Sequence, residues 1–300
     1  MHIVLVEPSG IGQKVLTNLL HGRGDRVTAF SDGACAFAHV QGDESVDVVI
    51  TSFETESKSG LELCWDLRLL AQAGRPIYTI AMSSSYEDSK LIEALDCGAD
   101  DFIKKPPQAM ELQARLRAAE RLLLTQRDLI HLANIDPLTG IYNRRAFFEK
   151  SEDLRFADGR ERTMEAIMFD IDHFKKVNDQ YGHDVGDDAI RTVADIVRRR
   201  EGVAGRLGGE EFALIVEESR WGHAVETAEG MRCEIEAVRM EMPQGRLHLT
   251  CSFGVSEWRT GEDIDQVLKR ADTALYQAKN NGRNQVVRFE SRGLRSAKAS

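Results

Sequence analysis

R-L-G-G-E-E-F-A-L-I-V-E, residues 206–217, is an apolar strand entered through two glycines and two adjacent glutamates. Gly208-Gly209 is one of the few dipeptides able to reverse a chain in a two-residue hairpin, because both positions accept positive φ. Having no side chains, they also let a ligand come close to the backbone. Phe212–Val216 then forms a sheet strand, and Glu210 and Glu211 stand at its lip as two hard oxygen donors. Such a pair suits Mg²⁺, which takes one or two carboxylates and completes its shell with substrate phosphates. Alone, the stretch is better read as a surface hairpin with solvated acids, so its meaning rests on its surroundings.

Upstream, F-D-I-D-H-F-K-K-V-N-D (169–179) ends a second strand in acids. Asp170 and Asp172 point the same way if the strand continues, since side chains alternate with period two. A short helix opening at His173–Lys176 offers free amides to phosphate oxygens, and Lys175 adds a positive charge. In Y-G-H-D-V-G-D-D (181–188), Asp184, Asp187 and Asp188 stand at a helix start, where the macrodipole favours acids. A carboxylate there can also accept from guanine N1–H and the 2-amino group, with an amide such as Asn178 beside it. A-K-N-N-G-R-N (278–284) sets Lys279 and Arg283 four residues apart, placed either to reach a polyphosphate or to complement a helix C-terminus.

Together with D-P-L-T-G-I-Y-N-R-R (136–145), these motifs make residues 135–290 resemble the GGDEF domain of diguanylate cyclases, in a G-G-E-E-F variant. The resemblance implies an α+β, palm-like nucleotidyl cyclase domain that condenses two GTP into cyclic di-GMP with release of two pyrophosphates. It implies Mg²⁺, with Mn²⁺ as the alternative ion, held by Asp170, Glu210 and the carbonyl of Ile171. Glu211 becomes the general base or a further metal contact, and Lys175 takes part in catalysis. Guanine falls to Asn178 and Asp187. The phosphates fall to the amides of His173 and Phe174 and to Lys175, Lys279 and Arg283, over the open backbone of Gly208 and Gly209. Because each domain of this kind holds one GTP, turnover implies a homodimer. Asp136 is expected to pair with Arg283. The product-inhibition motif R-x-x-D of many such enzymes reads R-R-E-G here (Arg199 to Gly202), which predicts weak or absent inhibition through that site. Arg198, Arg199 and Arg200 are read as complementing a helix C-terminus.

Residues 1–107 alternate strands (His2–Val6, Arg26–Phe30, Val46–Thr51, Ile77–Met82, Asp101–Ile103) with helices near 11–22, 33–40, 60–73 and 87–97. That order predicts a doubly wound, flavodoxin-like α/β domain with a parallel sheet. It resembles a response-regulator receiver whose chemistry is incomplete. Glu7 fills the first acidic place, Pro8 takes the second, and Ser52 stands where the phosphoacceptor aspartate belongs. Ser83 and Lys105 keep the hydroxyl and lysine places. Phosphorylation is not expected; dimerisation, or docking of an upstream signalling protein, is.

Between the two, 108–134 is free of proline, with small or apolar residues at Ala109, Leu112, Leu116, Ala119, Leu123, Ile130 and Ala133 and a polar Gln126 in the same seam. Spacings of three and four predict a linker helix that pairs with a second chain as a coiled coil. The catalytic half is expected to hold strands at 163–170, 212–217, 247–257 and 285–289, and helices near 143–152, 183–200, 222–240 and 263–280. Residues 291–300 are read as a disordered tail.

A net charge of −10 speaks against nucleic acid or an anionic membrane as partner, and against a DNA-binding regulator. No apolar run approaches the ~18 residues of a membrane span, and the five cysteines (35, 64, 97, 233, 251) form no C-x-x-C pair. Reduced thiols and a cytoplasmic location follow. A non-catalytic nucleotide-binding effector is the competing reading.

Overall fold

The computed structural model describes every residue except 73, 85–87, 218–221, 243–244 and 291–300. The expected tail therefore lies outside the described residues. Two compact units are present, Met1–His131 and Leu132–Ser300.

In the first unit, β1 (His2–Val6), α1 (Gly10–His21), β2 (Arg26–Phe30), α2 (Gly33–Gly42), β3 (Val48–Ser52), α3 (Gly60–Gln72), β4 (Tyr78–Ser83), α4 (Asp88–Asp96) and β5 (Asp101–Lys104) alternate as anticipated. The five strands are parallel in the order β2-β1-β3-β4-β5. Both faces of the sheet are covered, so its inner strands β1, β3 and β4 are buried along almost their whole length. Leu16 and Leu20 of α1 pack on one face with Ile3, Leu5, Ile50 and Ile80. Ala36, Val40, Leu63 and Leu67, from α2 and α3, close the other against Val4, Val6 and Val49.

The helix α5 (Ala109–Asn134) corrects the reading of the linker. Leu112, Leu116, Ala119 and Leu123 are buried against β1, β3, β4 and β5 of their own unit. The inner half of the anticipated seam is thus spent within the chain, and Gln126 and Ala133 are exposed. What α5 leaves open is a different face, with Leu122, Leu129 and Leu132 at 43%, 60% and 72% exposure. Periodicity alone cannot tell which partner a seam faces.

The second unit comprises β6 (Tyr142–Asn143), α6 (Arg144–Arg155), β7 (Met164–Ile171), α7 (Phe174–Tyr181), α8 (His183–Arg198), β8 (Val203–Gly208), β9 (Glu211–Glu217), α9 (His223–Ala237), the hairpin of β10 (Met240–Met242) and β11 (Gly245–Leu247), β12 (Cys251–Trp258), α10 (Ile264–Asn280) and β13 (Val286–Arg288). Its six-stranded sheet runs β13-β12-β7-β9-β8-β6, antiparallel through β12-β7-β9-β8 and parallel at both edges. Alternation along β7 and β9 sorts the two faces. Phe169, Phe212 and Phe253 stack across three strands, with centroids 5.0–5.3 Å apart, on the face that α7, α8 and α9 cover. Met164, Ala166, Ala213 and Ile215 face α6 and α10. Gly254 of β12 brings α10 very close: a Cβ there would lie 2.1 Å from the Ala271 carbonyl oxygen and 2.3 Å from the Leu275 amide nitrogen. Among the described residues, no helix is long and apolar enough to cross a membrane.

Candidate active site

The hairpin differs by one residue from the expected turn. Gly208 is still in β8, paired with Glu211, and the two-residue loop is Gly209-Glu210. Only Gly209 takes positive φ, at 48°. A register shift between Arg206 and Gly208 accounts for the displacement, and Arg206 braces the loop by donating from Nε to the Gly209 carbonyl at 2.9 Å. Glu210 is therefore at the tip, while Glu211 opens β9.

Across the sheet, Glu211 is the direct cross-strand partner of Asp170 at the end of β7. Directly opposed residues project from the same face, so both carboxylates stand on the α6/α10 side. Asp170 is 5% exposed. Its carboxyl is pushed up to about 6 by burial first, partly offset by Lys279, and then further by the charges of Glu210 and Glu211. Lys279, from the last turn of α10, reaches Asp170 Oδ2 at 2.9 Å. One ammonium thus faces three acids, an excess of negative charge that fits a divalent cation. The Ile171 carbonyl follows Asp170 at the end of the same strand.

Asp172 has another task. It accepts from Thr250 Oγ1 at 2.8 Å, Ser252 Oγ at 2.7 Å and the Asn284 amide at 3.0 Å. These bonds tie the end of β7 to β12 and to the segment carrying Arg283, so Asp172 positions the site's rim. Its role was not apparent from D-x-D spacing. Arg283 and Asn284 both hold positive φ, 64° and 47°, in the turn after α10.

His173 takes the left-handed conformation (φ 58°) and starts α7. The helix's first amides, from Phe174 onward, lack intrahelical acceptors and lie at the strand end beside Asp170 in sequence. Lys175 is exposed. Asn178, one turn later, meets the start of α8: its Oδ1 is buried without a hydrogen-bond partner and would be 1.9 Å from a Cβ on Gly186. Asp187 follows Gly186 directly in α8, and the Asn178 Oδ1 acceptor beside Gly186 is left open. Gly186 is a site residue the sequence did not reveal. Asp188 turns away to Arg191, at 2.6 Å.

One expected pairing is corrected. Asp136 bonds to Arg206 Nη1 (3.1 and 3.3 Å) and to Thr139, not to Arg283. Burial opposes its ionisation, but Thr139 and Arg206 together hold the carboxyl below its ordinary value. Asp136 thus ties the entry segment to the hairpin brace instead of to the turn that carries Arg283. The arginines at the end of α8 stand where expected: Arg198 is in its last turn and Arg199 is its C-cap, so their charge complements the helix dipole, while Arg199 and Arg200 also pair with Glu234 of α9 and Arg198 with Asp195. Gly202, where R-x-x-D has its aspartate, has φ 118°, and a Cβ there would be 2.1 Å from the Ile215 carbonyl oxygen. The backbone itself refuses a side chain at that place.

In the first unit, Glu7, Ser52, Ser83 and Lys105 gather at the C-terminal ends of the parallel strands, the usual ligand edge of such a sheet. Lys105 Nζ lies 2.5 Å from Glu7 Oε2 and also donates to Ser52 Oγ. Ser52 and Ser83 are fully buried. One lysine satisfies the acid and the serine at once, and Pro8 supplies no second carboxylate.

The model of the diguanylate cyclase GGDEF domain matches residues 133–285, and that of the response regulator receiver domain matches residues 3–117. The chain is 33% identical over 267 residues to Response regulator PleD of Caulobacter vibrioides, covering 83% of this chain and 58% of the relative. It is 41% identical over 177 residues to diguanylate cyclase VdcA of Vibrio cholerae, covering 57% of this chain and 50% of that one. The chain thus spans about half the length of the curated relatives it matches. Among solved structures, the coiled coil and GGDEF domain of DgcB from Caulobacter crescentus in complex with c-di-GMP aligns with TM-score 0.52 at 32% identity, covering 59% of this chain and 98% of that one. The GGDEF domain of DgcB alone gives 0.50 at 37% identity, covering 53% and 94%. With just over half of its residues matched by that one domain model, the chain belongs to the GGDEF family of diguanylate cyclase domains.

Proposed function

We propose that the protein is a diguanylate cyclase that joins two GTP molecules into cyclic di-GMP and releases two pyrophosphates. The observation that carries this reading is the convergence of Asp170 and Glu211 on one face, with Glu210 near enough to raise the Asp170 carboxyl. Asp170, Glu210 and the Ile171 carbonyl would hold Mg²⁺ or Mn²⁺, whose chemistry is to acidify the attacking hydroxyl and neutralise charge developing on the phosphate.

The chain's own residues do the rest. Asp187 accepts from guanine N1–H and the 2-amino group, and the Asn178 amide bonds to the purine edge beside it. The amides of His173 and Phe174, with Lys175 and Arg283, take phosphate oxygens. Lys279, which pairs with Asp170, would turn to the polyphosphate if that carboxylate held a metal ion. Glu211 receives the proton of the 3′-hydroxyl that attacks the α-phosphorus of the opposing nucleotide. Each chain supplies one such half-site, so turnover needs two chains face to face.

Purified protein incubated with GTP and Mg²⁺ is expected to yield cyclic di-GMP. Glu210→Ala and Glu211→Ala should each lower the rate on the order of 10²-fold or more. Nucleotide that is bound but never converted by the wild type would instead mean a binding effector. Gly186→Ala tests the guanine corner. The added methyl displaces the Asn178 amide, and KM for GTP should rise about tenfold, near 1.4 kcal/mol, with kcat changed less. An unchanged KM would remove Asn178 from the site.

The receiver-like domain serves association or docking of an upstream protein, not phosphoryl transfer. Ser52 offers no carboxylate to form an acyl phosphate, and its hydroxyl is already engaged by Lys105. Acetyl phosphate or beryllofluoride should leave activity and oligomeric state unchanged; a clear response in either contradicts this assignment.

A further inference from the structure

A second group of potential metal ligands sits at the opposite end of the front sheet from Glu7 and Ser52. His2 opens β1, and α2 delivers His39 from its last turn and Asp43 as its C-cap. One nitrogen from each histidine and one carboxylate oxygen lie within 4.8 Å of one another. Asp43 Oδ2 is 3.6 Å from His2 Nδ1 and 3.9 Å from His39 Nε2. A tetrahedral zinc ion with bonds near 2.0–2.2 Å sets its donors roughly 3.3–3.5 Å apart, so the carboxylate oxygen needs to approach each imidazole by only about 0.1–0.6 Å, and the two imidazole nitrogens, within 4.8 Å of each other, close by side-chain rotation.

The surroundings are arranged for such an ion. His39 Nε2 is closed off from solvent and makes no hydrogen bond, an arrangement that costs free energy unless something occupies it. Ser45 donates its amide and its hydroxyl to Asp43 Oδ1, at 2.9 and 2.6 Å, which fixes the carboxylate and leaves Oδ2 toward the two imidazoles. His2 Nε2 is 3.0 Å from the Thr28 hydroxyl, which can accept its N–H and hold the tautomer with Nδ1 as ligand. Two contacts must yield: Ser45 Oγ at 3.0 Å from His2 Nδ1, and Arg26 Nη2 at 3.9 Å from Asp43 Oδ2. Arg26 is two-thirds exposed and can turn into solvent.

We propose that His2, His39 and Asp43 form a binding site for a divalent transition-metal ion of the zinc class, with water as fourth ligand. Two imidazoles and one carboxylate select against Mg²⁺ and Ca²⁺, which prefer oxygen donors throughout. The site gives the front domain a ligand other than a phosphoryl group. It is also wired toward the linker: the His2 amide donates to Asp47 Oδ2 at 2.6 Å, and Asp47 Oδ1 accepts from Arg127 of α5 at 2.5 Å.

Co²⁺ is the probe, because four-coordinate cobalt absorbs visibly and the six-coordinate ion at an oxygen-rich catalytic site absorbs only weakly. Full-length, chelator-stripped protein is titrated with Co²⁺. A visible band saturating at one equivalent, displaced by Zn²⁺ and not by excess Mg²⁺, is expected. His39→Gln and Asp43→Asn should each lose the band, and Asp170→Asn should keep it. Both first-unit side chains are partly exposed, and a wild-type melting temperature without metal verifies that the variants fold. No band in the wild type, or a band that survives both His39→Gln and Asp43→Asn, overturns the proposal. So does a band lost only in Asp170→Asn.

Discussion

Asp170→Asn is expected to cut cyclic di-GMP formation by roughly 10³-fold and, at the same time, to make the metal-free protein harder to unfold at neutral pH. The two effects share one cause. The Asp170 carboxyl stands at about 6 in the folded chain, against an ordinary 3.8. A carboxyl raised on folding binds more protons in the native state, so stability falls as pH rises between those values. The cost is absent below about pH 4, grows through pH 4–6, and is complete above it. It is on the order of 2–3 kcal/mol at neutral pH. Asparagine carries no such charge, so its advantage should be near zero at pH 4 and full by pH 7. Thermal unfolding of both proteins across that range, without metal or nucleotide, provides the check. A variant that keeps its activity, or a stability difference that ignores pH, contradicts the role given to this residue. The same proton competes with an ion for the carboxylate, so the Mg²⁺ requirement should also rise as pH drops through 6.

Gly254→Ala is the largest structural lesion expected. The new methyl would fall 2.1 Å from one backbone atom of α10 and 2.3 Å from another, and backbone cannot rotate aside as a side chain can. Helix and strand must separate, at a cost of about 3 kcal/mol or more. For a unit of this size that lowers the melting temperature by roughly 6–12 °C. Since α10 carries Lys279 to Asp170, activity should fall with it. A melting temperature within about 2 °C of wild type would mean that the contact is looser than the structure places it.

Much of this architecture could be read from residue order. The first five strands stand within two residues of their anticipated ends, because Val, Ile and Leu runs bounded by polar turns leave few alternatives. The helices of the catalytic half follow for the same reason. β8 escaped notice because V-A-G-R-L-G mixes two glycines with an arginine and shows no alternation. The site's carboxylates were legible because their spacing carries chemistry. Their neighbours were not: that Asp136 answers Arg206, that Asp172 gathers three donors, and that Gly186 makes room for Asn178 are facts of long-range packing. Gly202 has the same lesson, since a missing aspartate in sequence is a steric requirement in space. The linker misled for a different reason. Its three-four spacing was real, but a hydrophobic stripe records only that something covers it.

That stripe limits how two copies could hold together. With Leu112 through Leu123 committed to the chain's own core, the helix face still open runs from Leu122 to Leu132, eleven residues or about 16 Å. A contact of three turns with a few leucines has little apolar surface to bury. Two molecules joined there alone would part on dilution, so a lasting pair must recruit further surface, and a pair held only by this face would grow with the protein's own concentration.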